Sequence, residues 1–300
     1  MALVTYVNGT FVPKDEAKIS VYDHGYLYGD GIFEGIRVYG GRVFRLEQHL
    51  DRLYESARYL MLDIPLARDE LRAAILETVR RSGLRDAYIR PVISRGVGDL
   101  GLDPRKCKTP TVVIIVDTIQ LYPKDAYERG LRMITATTRK IRPDALSPQA
   151  KSLNYLSNIM ARMEANQAGV DEAVMLNSEG YVCECSADNL FLVRESEVWT
   201  PPPYVGILKG VTRGAVIELA RELGVLLMER VFTLHDIYTA DECFLTGTGA
   251  EVGPVVEVDG RKIAEGRPGA ITLRLIAAFR DLVRREGTPV YTEEVVERRA

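Results

Sequence analysis

The chain has little of the chemistry that binds metals or staples small folds. Four cysteines, three histidines and one tryptophan are spread over 300 residues, and Cys107, Cys183, Cys185 and Cys243 form no C-x-x-C pair. This spacing gives neither a metal ligand set nor a disulfide framework, so no metal is expected and the thiols read as free groups in a reducing compartment. Long apolar runs are missing as well. No stretch approaches the ~20 residues that span a bilayer, and the N-terminus lacks a signal-peptide core. A cytoplasmic protein that binds no membrane is the expectation. Nor does one sign of charge dominate: 39 Lys and Arg against 42 Asp and Glu leave −3, which predicts no nucleic-acid partner. Lysine is scarce, with nine of the 39 basic residues, a weak sign of heat tolerance.

What remains is an ordinary globular composition, 46 % hydrophobic and 27 % charged. The length suits two modest domains. Residues 4–7 and 10–12 around Asn8-Gly9 read as a hairpin. A loop over 22–30 and a strand over 32–39 follow. Apolar positions at 46, 50, 53, 57 and 60 put one face on a helix, and a second helix runs from 67 to 82, ended by Gly83. Strands are expected at 87–94 and 111–119. The polar segment 121–130 breaks the pattern and reads as an interdomain connector between domains at 1–120 and 131–300. Beyond it come short strands (131–137, 172–176, 181–185, 190–194, 198–200, 225–231, 242–246, 255–258) and helices near 155–167, 212–223 and 271–285. This mixture predicts two α+β domains.

Three local features raise the possibility of an enzyme. Lys151 stands between a loop and a helix, in Lys151-Ser152-Leu153-Asn154-Tyr155, where a lone lysine is ordinarily a solvated surface residue. Glu184 lies within Tyr181-Val182-Cys183-Glu184-Cys185-Ser186. Strict alternation places Val182, Glu184 and Ser186 on one face and the cysteines behind. A carboxylate there is expensive unless a cation meets it. Finally, Gly210-Val211-Thr212-Arg213 runs into a helix and Gly247-Thr248-Gly249-Ala250-Glu251 follows a strand. Each is an ordinary turn by itself, yet both present backbone N–H groups and hydroxyls suited to a phosphate. A lysine nucleophile, a buried carboxylate and two anion-cradling loops are the parts that pyridoxal phosphate requires.

These motifs, with Tyr28-Gly29-Asp30-Gly31-Ile32-Phe33-Glu34-Gly35-Ile36-Arg37, His49-Leu50-Asp51-Arg52-Leu53, Tyr88-Ile89-Arg90-Pro91 and Asn189-Leu190-Phe191, resemble the fold-type IV pyridoxal-phosphate enzymes in order and over nearly the whole chain. Within that group they resemble the branched-chain amino-acid aminotransferases. The resemblance implies a two-domain α+β fold like that of D-amino-acid aminotransferase, with a small N-terminal domain, a large cofactor-binding domain and the active site at the domain interface. It implies that Lys151 holds pyridoxal 5'-phosphate as a Schiff base and shuttles the proton at the substrate Cα. Glu184 pairs with the pyridine nitrogen, Tyr155 bonds the ring 3'-oxygen, and Arg52, Val211, Thr212 and Thr248 hold the phosphate. Tyr28, Phe33, Gly35 and Tyr88 line the side-chain pocket, and Thr248, Gly249 and Ala250 receive the substrate carboxylate. Tyr88 and Arg90 belong to a carboxylate network, with Arg90 assisting the second carboxylate of glutamate. Leu100 and Leu102 resemble the loop that reaches a partner subunit, which implies a homodimer or a hexamer built from dimers. Small amino acids and 2-oxo acids, including 2-oxoglutarate, are the implied substrates.

Gly249 departs from the Gly-Thr-Ala-Ala-Glu loop of many relatives, and the missing methyl widens the allowed backbone angles. Cys183 and Cys185 flanking Glu184 are also unusual; they are expected to pack behind the strand. Rival readings are a D-amino-acid aminotransferase, an aminodeoxychorismate lyase of the same fold and a non-catalytic binding protein. Glu34-Gly35-Ile36-Arg37 and Tyr88-Ile89-Arg90-Pro91 weigh against the first two, and Lys151, Glu184 and Arg52 together against the third.

Overall fold

The computed structural model describes residues 3–122 and 125–291. The chain divides into two compact units. The first comprises the chain through Tyr54, Leu62–Ile119 and the segment from Val283; the second comprises Glu55–Met61 and Gln120–Leu282. The segment from Val283 and the short piece Glu55–Met61 are each grouped with residues distant in sequence.

The first unit is an antiparallel sheet with helix Arg68–Ser82 and the part of helix Leu46–Tyr59 through Tyr54. Its order is Thr288–Pro289, Arg42–Val43, Ile36–Tyr39, Ala87–Ser94, Thr111–Asp117, Val4–Val7, Thr10–Pro13, with Gly31–Phe33 also on Ala87–Ser94. Asn8 and Gly9 turn the first hairpin in the left-handed region, φ 46° and 91°, as an Asn-Gly turn requires. Leu46, Leu50, Leu53 and Ala57 are buried on one helix face, as their spacing predicts. Two expectations change. The strand at 32–39 is two strands, Gly31–Phe33 and Ile36–Tyr39, broken at Glu34-Gly35. The loop at 22–30 holds a short helix, His24–Tyr28, capped by the Asp23 carboxylate and closed by Gly29 at φ 71°.

The second unit is built on a mixed sheet ordered Val182–Cys185, Glu172–Leu176, Leu131–Thr135, Glu251–Val258, Glu242–Gly247, Asn189–Arg194, Glu197–Thr200, Leu227–Glu229. Helices Leu156–Gln167, Val211–Glu222 and Ala270–Arg285 begin and end within one residue of the spans read from periodicity. Part of the segment 121–130 packs within this unit. Tyr122 is buried among the core side chains Leu131, Met133 and Leu192, and Ala126–Arg129 forms a short helix. Among the described residues no helix is long and apolar enough to cross a membrane.

Candidate active site

Glu184 sits on the edge strand Val182–Cys185, and the strand does not alternate simply. Val182 pairs with Leu176 but Glu184 with Met175, so Cys183 is an extra residue, a β-bulge. The expected faces are therefore corrected. Val182 and Cys185 both enter the main core, while Cys183 packs separately with Val205 and Ile207. Burial pushes the Cys183 thiol up to about 12 and that of Cys185 well above its ordinary value; both are inert packing groups. The bulge turns the Glu184 carboxylate toward three donors. Oε2 accepts from Asn189 Nδ2 and from the Leu208 N–H, each at 3.0 Å. Oε1 accepts from Lys140 Nζ at 2.7 Å.

Lys151 precedes the helix Leu156–Gln167. Its backbone N–H is held by Ser56 Oγ at 3.0 Å, and its Nζ donates to Tyr155 Oη at 2.9 Å. A cavity beside them is lined by Ala150, Ser152, Tyr155, Glu184, Lys140 and Leu208. The helix Val211–Glu222 starts at Gly210 with no side chain capping it, which leaves its first N–H groups as an anion seat. A Cβ at Gly210 would stand 2.1 Å from Asn189 Oδ1, so glycine is what lets this helix start approach the Glu184 network. Thr248, Gly249 and Ala250 form the turn between Glu242–Gly247 and Glu251–Val258. Glu251 closes the turn at φ 58°, and Tyr127 Oη donates to the Ala250 carbonyl at 3.0 Å. The preceding Thr246 Oγ1 is buried with no hydrogen-bond partner among the described residues.

Behind this turn lies a second carboxylate cluster. Tyr122 Oη stands 3.1 Å from Glu172 Oε2 and 3.0 Å from Asp188 Oδ2. Gly247 is required here, since a Cβ would come 1.8 Å from Asp188 Oδ1. Burial, and then the Glu172 charge, push the Asp188 carboxyl up to about 7.

The expected residues of the first unit form their own constellation. Arg52 is 7 % exposed and is not the solvated helix residue its surroundings in sequence allow. Its Nε and Nη2 donate to Glu34 Oε1 and Oε2 at 2.6 and 2.8 Å. His49 Nδ1 lies 2.8 Å from Glu34 Oε2. Burial alone would raise the Glu34 carboxyl, but the charges of Arg52 and then His49, with their hydrogen bonds, hold it well below the usual carboxylate range. Tyr88 Oη accepts from Arg90 Nη2 at 2.9 Å, and the Arg90 guanidinium lies over the Phe33 ring at 4.7 Å. Gly35 completes the group: a Cβ there would meet Tyr88 Oη at 1.9 Å. Tyr28 stands edge-on to His24. Leu100 and Leu102 are 73 % and 81 % exposed, outside this group.

Two sets of residues escaped sequence reasoning. Lys140 and Asn189 hold Glu184, and Glu34 with His49 holds Arg52. The available signal was thermodynamic: a carboxylate in an apolar strand and an arginine among leucines each demand a counter-charge, but the partner's position is a tertiary fact.

Residues 31–258 match the family Amino-transferase class IV. A curated relative from Methanocaldococcus jannaschii, a putative branched-chain-amino-acid aminotransferase, is 52 % identical and is aligned over 96 % of this chain and 99 % of its own. A solved branched-chain amino acid aminotransferase from T.th., complexed with N-(5'-phosphopyridoxyl)-L-glutamate, is 40 % identical, with 94 % of each chain covered and a TM-score of 0.89. That of Thermobaculum terrenum, solved in its PLP form, is 32 % identical, with 97 % of this chain and 99 % of its own covered and a TM-score of 0.89. With the fold, the lysine, the carboxylate and the anion seats already in place, these matches identify the chain as a member of the class IV aminotransferases and, among them, of the branched-chain amino-acid aminotransferases.

Proposed function

We propose that the protein transfers the amino group of leucine, isoleucine and valine to 2-oxoglutarate, giving branched-chain 2-oxo acids and L-glutamate. Transamination of branched-chain amino acids follows from the family, and an arginine beside the aromatic pocket supports 2-oxoglutarate as the acceptor. The cofactor is pyridoxal 5'-phosphate, and one observation carries its fit. Glu184 Oε2 takes two donors and Oε1 only Lys140, so an acceptor position remains on a carboxylate lining the cavity beside Lys151. The uncapped helix start at Val211 and the orphaned Thr246 hydroxyl suit an anion in the same unit. When bound, the cofactor supplies an electron sink for the bond broken at the substrate Cα.

The chain's own residues divide the remaining work. Lys151 anchors the cofactor covalently and carries the proton at Cα, oriented by its bond to Tyr155. Glu184 meets the pyridine nitrogen and Tyr155 the 3'-oxygen. Val211, Thr212 and Thr248 hold the phosphate with Arg52, whose guanidinium plane is set by Glu34. Thr248, Gly249 and Ala250 take the substrate carboxylate on a turn fixed by Tyr127. Phe33, Gly35, Tyr28 and Tyr88 give an aromatic pocket for an aliphatic side chain. Arg90, whose Nε is buried without a partner, answers the second carboxylate of glutamate. Leu100 and Leu102, strongly exposed in one chain, fit a role against a partner subunit in a homodimer or a hexamer built from dimers. The reading also keeps a small domain to residue 120, a connector at 121–130, a cofactor-binding domain from 131 and a cytoplasmic site of action.

Half-reactions with L-leucine, L-isoleucine, L-valine, L-glutamate and D-alanine, followed by the loss of visible cofactor absorbance, test the proposal. All four L-amino acids should react. Reaction with D-alanine and none with the L-aliphatics would reverse the substrate assignment in favour of a D-amino-acid aminotransferase.

A further inference from the structure

Lys140 is the least expected charge in the second unit. It is 7 % exposed, and among the described residues the buried Glu184 carboxylate is its one side-chain hydrogen-bond partner, at 2.7 Å. Its backbone leaves it little freedom. The Lys140 N–H bonds the Leu176 carbonyl at 3.0 Å, and the preceding Thr137 and Thr138 N–H groups are both held by the Glu164 carboxylate. The ammonium is thus aimed by a pinned segment at one oxygen of one carboxylate, inside the cavity. Burial would lower a lysine, yet the Glu184 charge and hydrogen bond outweigh it and hold Lys140 above its ordinary range.

We propose that Lys140 is a positioning residue that acts through Glu184: it fixes Oε1 and neutralises part of the charge that Glu184 turns toward the pyridine nitrogen. The inference rests on the assignment of Glu184 as the partner of that nitrogen. Without Lys140 the carboxylate would face a single cation, the protonated ring, and would bind its proton more tightly. With Lys140 in place, two cations share one anion, and the ring proton is held less strongly. The lysine thereby sets how strong an electron sink the site provides. Other titratable groups near this pair are Tyr155, which accepts from the Lys151 ammonium at 2.9 Å, Cys183, Asp188 next to Asn189, and Glu179 near Cys183; in the loaded protein the Lys151 nitrogen is taken up by the cofactor, which leaves Lys140 as the cation bonded to Glu184.

The test is a pH titration of the visible absorbance of the protein loaded with pyridoxal 5'-phosphate, in wild type, Lys140→Met, Lys140→Arg and Glu184→Gln, with a thermal midpoint for each. Loss of a nearby positive charge should raise the titration midpoint of Lys140→Met by about one pH unit. Lys140→Arg should restore it, and Glu184→Gln should move it downward. In the double variant Lys140→Met/Glu184→Gln the effect of removing Lys140 should shrink to a fraction of its size in the single variant. If Lys140→Met loses thermal stability while its midpoint stays at the wild-type value and Glu184→Gln still shifts, the lysine only neutralises a buried carboxylate and the proposal is overturned. If neither single variant shifts, Glu184 is not the ring's partner and the underlying assignment falls first. Should Lys140→Met fail to fold, Lys140→Gln keeps a donor without the charge, and an unshifted midpoint in that variant overturns the proposal equally.

Discussion

A buried guanidinium survives only with its charge answered, and Glu34 answers Arg52 through two parallel hydrogen bonds. Removing one member of such a pair strands the other. Glu34→Gln should destabilise the protein by about 3–5 kcal/mol, measured by denaturant unfolding. It should also weaken cofactor phosphate binding, read as a larger loss of affinity for pyridoxal 5'-phosphate than for pyridoxal. Equal losses for the two would remove Glu34 from any phosphate role. Lys151→Ala should abolish the visible band of the loaded protein and reduce turnover by several orders of magnitude; a variant keeping both would sink the cofactor assignment. These residues differ in how far the sequence announces them. Lys151 and Glu184 are legible because a motif surrounds each. Lys140 is a lysine 44 positions from its carboxylate, with nothing nearby to mark it, and Glu34 lies 18 positions from Arg52. Charge pairing is a demand that local sequence can state but cannot address to a partner.

The turn at 247–251 shows how an element is braced. Tyr127 holds the Ala250 carbonyl in front, and Asp188 crowds Gly247 from behind, itself tied to Tyr122 and Glu172. One tyrosine hydroxyl has one proton for two carboxyls, and the raised Asp188 supplies the second. Between about pH 4 and 7 the native state keeps a proton that the unfolded chain has lost, so this cluster's contribution to stability is full below that window and falls as pH rises through it. Asp188→Asn should flatten this fall, by an amount on the order of a few kcal/mol, seen in thermal unfolding from pH 5 to 8. Parallel curves for the two proteins would place the proton elsewhere. Gly247→Ala, with no room for its methyl, should disturb the turn and raise KM for amino acids more than it lowers kcat. Helices were legible at this scale because a period of 3.6 survives small local changes. The bulge at Cys183 was not, since one inserted residue reverses every later face and leaves no compositional mark.

At the scale of the whole molecule, the first unit is assembled from residues far apart in the chain. Thr288–Pro289 pairs with Arg42–Val43, Arg45 Nε donates to Glu286 at 3.0 Å, and Tyr291 Oη donates to the Leu84 carbonyl at 3.0 Å. A short polar strand after an amphipathic helix carries no sign in the sequence of where it will pair. Truncation after Leu282 should therefore leave the second unit protected in amide hydrogen exchange while residues 36–43 exchange faster by at least tenfold; unchanged protection would show the returning segment to be dispensable. The feature has a consequence for synthesis. As the chain emerges from a ribosome at roughly 5–20 residues per second, the unit begun first is finished last, and its open sheet edge at Arg42–Val43 waits for more than 240 residues of further translation before its own partner strand exists.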